Sequence, residues 1–242
     1  MPGSDDSRRQ LLVPLLAAAA TALAVFMFAT GRSTALETFG VITGATCVWL
    51  TVRASAWNFP VSLANVAAFS VVFFRAQLFA DAGLQVVFFV LTLVGWYLWL
   101  FGGTGRTSLP VTRAARGELA GVGVGIVAST LALWLVLSRY GGSASFFDAL
   151  TTSLSLGAQW LLNRKRVENW WLWIVADVIY VPLYAYKHLY LTAFLYAVFL
   201  GMATAGLIEW VRLWRREQSL MPPPRGFEVV QTAVPASERV PA

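Results

Sequence analysis

In the segment VENWWLWIVADVIYVPLYAYK, residues 167–187, Trp170, Trp173, Asp177, Tyr180 and Tyr184 follow one another at spacings of 3, 4, 3 and 4. On a helix turning about 100° per residue they fall within about 80° of one another, a single stripe with Pro182 on the far side. A carboxylate set among aromatic faces suits a flat, cationic ligand: the acid supplies charge and each ring a cation–π contact of about 0.5–2 kcal/mol. An ionisable group at membrane depth costs at least about 2.5 kcal/mol and by default faces the protein interior or a cavity. Packing explains an aromatic stripe but not Asp177. Trp171 points off the stripe at the helix start and reads as an interfacial anchor.

Two amides could join this chemistry. Asn65, on the face carrying Ser62, Phe69 and Phe73, and Gln85, in DAGLQVVFF, either fix a substrate's orientation or hydrogen-bond between helices. Arg75 stands near a helix end, where snorkelling or pairing with Asp81 accounts for it, and Glu168 and Asn169 read as cap residues.

Other chemistries lack their groups. Cys47 is the only cysteine and His188 the only histidine, so no disulfide, cysteine metal site or nucleophile–base pair can be assembled, and no cofactor is expected. A membrane-embedded enzyme is therefore a poor fit, and so is a retinal-type sensor, since Lys187 stands in a turn and the final apolar run has no lysine for a Schiff base.

The elements that must position the stripe are membrane helices. The 242 residues are 58% hydrophobic and 12% charged, with mean hydropathy +0.66, far from a soluble domain. Runs able to cross a hydrocarbon core of about 30 Å fall at residues 11–30, 36–52, 61–79, 82–101, 117–137, 146–162, 170–186 and 189–209. The first, SRRQLLVPLLAAAATALA, imitates a secretory signal, but its apolar run exceeds the roughly 7–15 residues of a signal core, which favours a retained helix. Residues 211–242, with PPPR, read as a disordered cytoplasmic tail.

Threading these spans back and forth puts fourteen of the eighteen Lys and Arg residues on one side and three on the other, with Arg75 inside a span. The net charge of +6 is thus topology rather than a nucleic-acid surface, and both termini are placed in the cytoplasm of a multi-pass cell-membrane protein.

One ungapped offset of 111 residues aligns Trp49 with Trp160, Asn58 with Asn169, Gly95 with Gly206 and Trp99 with Trp210, and pairs Phe73 with Tyr184. Each copy holds three helices, 36–101 and 146–210, with a linker helix in 102–145 between them and residues 1–35 forming an accessory helix. Equivalent helices lie four crossings apart, so the copies run the same way through the bilayer.

NRKRVENWWLWIVADVIYVPLYAYKHLYLTAFLYAVFLGMATAGLIEW, residues 163–210, resembles the last two helices of the PnuC-type vitamin transporters, and LFADAGLQVVFFVLTLVGWYLW is similar to their first-copy counterpart. The resemblance covers about residues 36–210 and includes the WxxW signature, here Trp170 and Trp173. It implies a seven-helix 3+1+3 core like that of SWEET sugar transporters, often with an extra N-terminal helix, assembled as a homotrimer. It also implies facilitated diffusion of an unphosphorylated vitamin, most often nicotinamide riboside, trapped by a cytosolic kinase; sister groups carry thiamine or riboflavin. Carried over by position, Trp170, Trp173, Asn65, Gln85, Tyr180 and Tyr184 would line the site. The chain departs from the pattern at Asp177, where family members carrying nicotinamide riboside can have Asn, and both that vitamin and thiamine are cationic enough to use the acid.

Overall fold

A computed structural model describes residues 4–75, 79–139, 145–186, 188 and 190–220. They form eight helices: α1 (Ser4–Ala29), α2 (Ala35–Val52), α3 (Asn58–Arg75), α4 (Phe79–Phe101), α5 (Arg116–Arg139), α6 (Ser145–Asn163), α7 (Asn169–Tyr186) and α8 (Tyr190–Leu220). Six are long and apolar enough to span a bilayer by length and composition. The two that fall short, α6 and α7, carry the polar load: Asp148, Gln159, Asn163 and several hydroxyls on one, Asn169, Asp177 and the tyrosines on the other. In lipid every backbone group must be satisfied within the segment, so helices are the available form, and hydroxyls such as Thr46, Thr92 and Thr151 bond back to the carbonyl four residues earlier.

Local signals set the boundaries. Thr34 and Glu37 form a reciprocal capping box that starts α2, with Thr34 N–H donating to Glu37 Oε2 at 2.7 Å and Glu37 N–H to Thr34 Oγ1 at 3.2 Å. Pro60 lies in the first turn of α3, where its missing N–H costs nothing.

The tail begins later than its charges suggest. Residues 211–220 continue α8, because Leu213 and Trp214 pack against the core and Arg113 sits 5.2 Å from the Trp214 ring centre. The remainder of the expected tail, 221–242, lies outside the described residues, as do Lys187 and the Asp81 side chain expected to pair with Arg75.

The 111-residue offset carries α3 onto α7 end to end, and it also carries the corner before α3 onto the corner before α7. Ala54 and Lys165 both take positive φ, +51° and +53°, a strained choice for residues other than glycine. Asn58 donates to the Ser55 carbonyl at 2.8 Å and Asn169 to the Arg166 carbonyl at 2.6 Å. Phe59 meets Trp99 edge-on at 5.0 Å, and Trp170 meets Trp210 edge-on at 5.6 Å.

The copies are tied by a reciprocal pair of bonds. Trp99 Nε1 donates to the Leu162 carbonyl at 3.0 Å and Trp210 Nε1 to the Thr51 carbonyl at 2.9 Å; the two acceptors are themselves 111 residues apart. Trp99 and Trp210, both about 1% exposed or less, lie 5.8 Å apart, so equivalent residues meet at the same end of the bundle. That end holds the main buried cluster, with Phe59, Trp99, Trp170, Met202 and Trp210 at its centre.

The corners differ in what holds them. The α4–α5 linker runs beneath the second corner: Thr112 exchanges backbone bonds with Lys165 and Val167, each at 3.0 Å, and Lys165 Nζ donates to the Leu109 carbonyl at 2.8 Å. Glu168, expected as a cap, instead reaches across to Arg113 Nε and the Ala114 N–H, both at 2.8 Å, because the linker offers it a cation and a free donor. Burial lowers the Lys165 ammonium below its ordinary value, with nearby Glu217 opposing. At the first corner, Trp57 is 72% exposed.

Candidate functional site

Halfway along α7, Asp177 is 6% exposed and forms no ion pair with any described residue. A buried acid without a cation is costly to fold around, which singles Asp177 out among the residues of the stripe.

One and two turns further on, Tyr180 and Tyr184 stack at 5.6 Å. Tyr196 of α8 closes on both, 4.5 Å from Tyr180 and 5.1 Å from Tyr184, with Phe199 edge-on to it at 6.0 Å. The 3-and-4 spacing on α7 supplies the first two rings, and packing of α7 against α8 brings in the third. Three phenol rings packed on one another one to two turns from Asp177 form a half-buried aromatic cluster, a chemistry that answers a planar cation.

The remaining residues of the stripe sit elsewhere. Trp173 is half-buried and packs against the core cluster. Trp170 is 2% exposed within it, pressed on Trp210 and on Gly206, where a Cβ would come within 2.5–2.7 Å of its ring. Its indole N–H is buried without a partner among the described residues. Trp171 is 54% exposed, as an interfacial anchor would be.

Asn65 uses its amide between helices, donating to the Gly40 carbonyl at 2.6 Å and Thr43 Oγ1 at 2.9 Å of α2. Gln85 is half-buried on α4, at the position equivalent to Tyr196. The pattern on α7 alone could not reveal Tyr196, which lies on another helix; the offset that pairs it with Gln85 was the available signal.

Fold and composition together define a multi-pass helical membrane protein, with a buried acid and a cluster of stacked tyrosines between α7 and α8. The family model for the nicotinamide mononucleotide transporter matches residues 34–212, and the chain belongs to that family. The nicotinamide riboside transporter PnuC of Escherichia coli K12 is 28% identical over 214 residues, covering 76% of this chain and 88% of that protein. The riboflavin/roseoflavin transporter RibM of Streptomyces davaonensis is 29% identical over 187 residues, covering 74% of this chain and 85% of that protein. A crystal structure of the vitamin B3 transporter PnuC superposes with a TM-score of 0.67 at 21% identity, over 88% of this chain and 99% of that one, a likeness of fold.

Proposed function

We propose that the chain takes up nicotinamide riboside across the cell membrane by facilitated diffusion, with a cytosolic kinase trapping the product. Asp177, buried near stacked tyrosines and without a cation among the described residues, carries the reading: a pyridinium ring is flat and positively charged, and an acid with aromatic rings answers both properties. Trp170 offers an unpaired buried N–H to a ligand oxygen, Trp173 extends the same face, and Asn65 and Gln85 line the opposite copy. Relatives named for nicotinamide riboside transport support the choice of vitamin.

The second reading is thiamine, favoured by the same acid, because its thiazolium is also a flat cation. Riboflavin, the cargo in the name of one relative, is neutral and leaves Asp177 unanswered.

The proposed architecture is a 3+1+3 bundle of two parallel repeats, SWEET-like, with α1 added in front and a homotrimer as the assembly. The reciprocal Trp99 and Trp210 bonds at one end of the bundle support parallel copies, and the crowding of Arg and Lys at that end supports cytoplasmic termini. No coupling ion is invoked: among the described residues Asp177 is the one buried acid, fewer than a proton relay uses.

Calorimetry of the purified protein against nicotinamide riboside, nicotinamide, thiamine and riboflavin tests the substrate; binding of thiamine alone overturns it. Proteoliposomes test the mechanism. Uptake that stops at equal concentrations and ignores imposed proton or sodium gradients is expected, and gradient-driven accumulation sinks the uniport.

A further inference from the structure

A cavity of about 890 Å3 opens between α1, α2 and α8, and none of its lining residues belongs to the acid–tyrosine cage. Its walls are apolar, among them Leu11, Leu12, Pro14, Leu200, Ile208 and Leu213, and Gly201, Thr204 and Ala205 keep α8 narrow along it. Leu11, in the lining, and Leu15 beside it on α1 are 60% and 65% exposed, an apolar face compatible with hydrocarbon.

One end of the slot is basic. Arg53, just past the C-terminus of α2, is exposed, with its guanidinium 5.6 Å from the Trp49 ring centre and no ion pair to a described residue. Glu209, the acid of the lining, is held by Arg212 at 3.6 Å.

The second copy shows what Arg53 lacks. Its equivalent, Arg164, lies 4.5 Å over Trp160, the equivalent of Trp49, and meets an anion built into the fold, Glu118 of α5, at 3.7 Å. Helix α5 packs on α6 as α1 packs on α2, but among the described residues no carboxylate pairs with the first copy's arginine.

We propose that the slot binds one anionic phospholipid, its acyl chain between α1 and α8 and its phosphate at Arg53, where Glu118 stands in the other copy. Basic pockets between membrane helices hold anionic headgroups in this manner, and the volume lies in the roughly 300–1,000 Å3 range of small-molecule sites. The site is separate from the substrate cage, and its test does not depend on which vitamin is carried.

Native mass spectrometry of the delipidated full chain, titrated with phosphatidylglycerol or phosphatidylcholine of matched acyl chains, reads the preference directly. Phosphatidylglycerol is expected to bind as a single adduct, roughly fivefold more tightly than phosphatidylcholine, the worth of one basic residue at an anionic headgroup. Arg53→Gln should bring the two lipids level, and Thr204→Trp, which fills the slot, should abolish the adduct while both variants keep wild-type melting midpoints. Equal binding of the two lipids, or an adduct indifferent to Arg53→Gln, overturns the proposal. So does a lipid-free dimer that Thr204→Trp dissolves, since the slot would then be a seat for a second copy. If either variant melts early, wild type alone still decides through the two-lipid comparison.

Discussion

Val66 and Asp177 stand at equivalent positions on α3 and α7, and both are buried, at 8% and 6% exposed. Around them the copies share their scaffold: the positive-φ corner, the asparagine that closes it, the edge-on aromatic pair and the indole bond to the other copy. What fills the helix face differs. The first copy has Phe69 stacked on Phe73 at 5.8 Å, with Gln85 opposite; the second has Tyr180 on Tyr184 at 5.6 Å, with Tyr196 opposite. Phe59 becomes Trp170, which adds an N–H that no described residue accepts. The backbone joints were kept in both halves while charge and hydroxyls collected in one, so the framework is constrained by assembly and the faces are free to specialise.

The strongest way to break this contrast is to give the second copy the first copy's residue. Asp177→Val should abolish vitamin binding, a loss of about 2 kcal/mol or more, roughly thirtyfold, because the ligand cation loses its partner. The same variant should melt no earlier than wild type, since a buried acid without a cation gives way to an apolar side chain. Unchanged affinity by calorimetry would move the site off α7.

The scaffold predicts the opposite behaviour, an equal effect in both halves. Gly206→Ala drives a Cβ into the Trp170 ring, and Gly95→Ala drives one to 2.6 Å from Phe59 and against Asn163. Each should cost about 1–3 kcal/mol of stability from overpacking, measured as a lowered melting midpoint in detergent. A large loss in one and none in the other would show that the two joints are not equivalent.

Trp170→Phe sharpens the comparison further. If the orphan N–H serves the ligand, affinity falls by about threefold, in line with one hydrogen bond of roughly 0.6 kcal/mol, alongside a lowered melting midpoint from the space the smaller ring leaves in the core. Affinity equal to wild type would leave that N–H without a role in binding.

The smallest effect belongs to the corners. Lys165→Ala makes the second corner read like Ala54 and removes the bond to Leu109. Burial holds the lysine's folded pKa below its ordinary value, so between the two values the unfolded chain binds more protons and stability rises with pH. That rise should vanish in Lys165→Ala; persistence of the same slope would assign it to another group.

The helices and the repeat were legible because they rest on composition and on a fixed register, which are local properties of the chain. That Asp177, Tyr180 and Tyr184 share one face of α7 was legible for the same reason: one helix carries them at one spacing. Tyr196 was not, since it reaches the cage through packing between α7 and α8. Glu168 was read as a cap because its partners, Arg113 and Ala114, lie more than fifty residues away along the chain. The end of α8 was placed early because Arg215 and Arg216 look like solvated tail residues, whereas Trp214 and Leu213 on the inner side hold the helix in place.

The paired indole bonds carry a consequence for origins. Each copy donates from its third helix to a carbonyl of the other's first, and the two bonds are related by the same offset. That is the contact pattern of an isologous dimer, in which residue i meets j and j meets i. A three-helix ancestor with one such tryptophan and one such carbonyl could close on a second copy of itself using both bonds at once. Joining the two through a linker helix would preserve the contact and release one partner from having to match the other, which is the freedom that Val66 and Asp177 record.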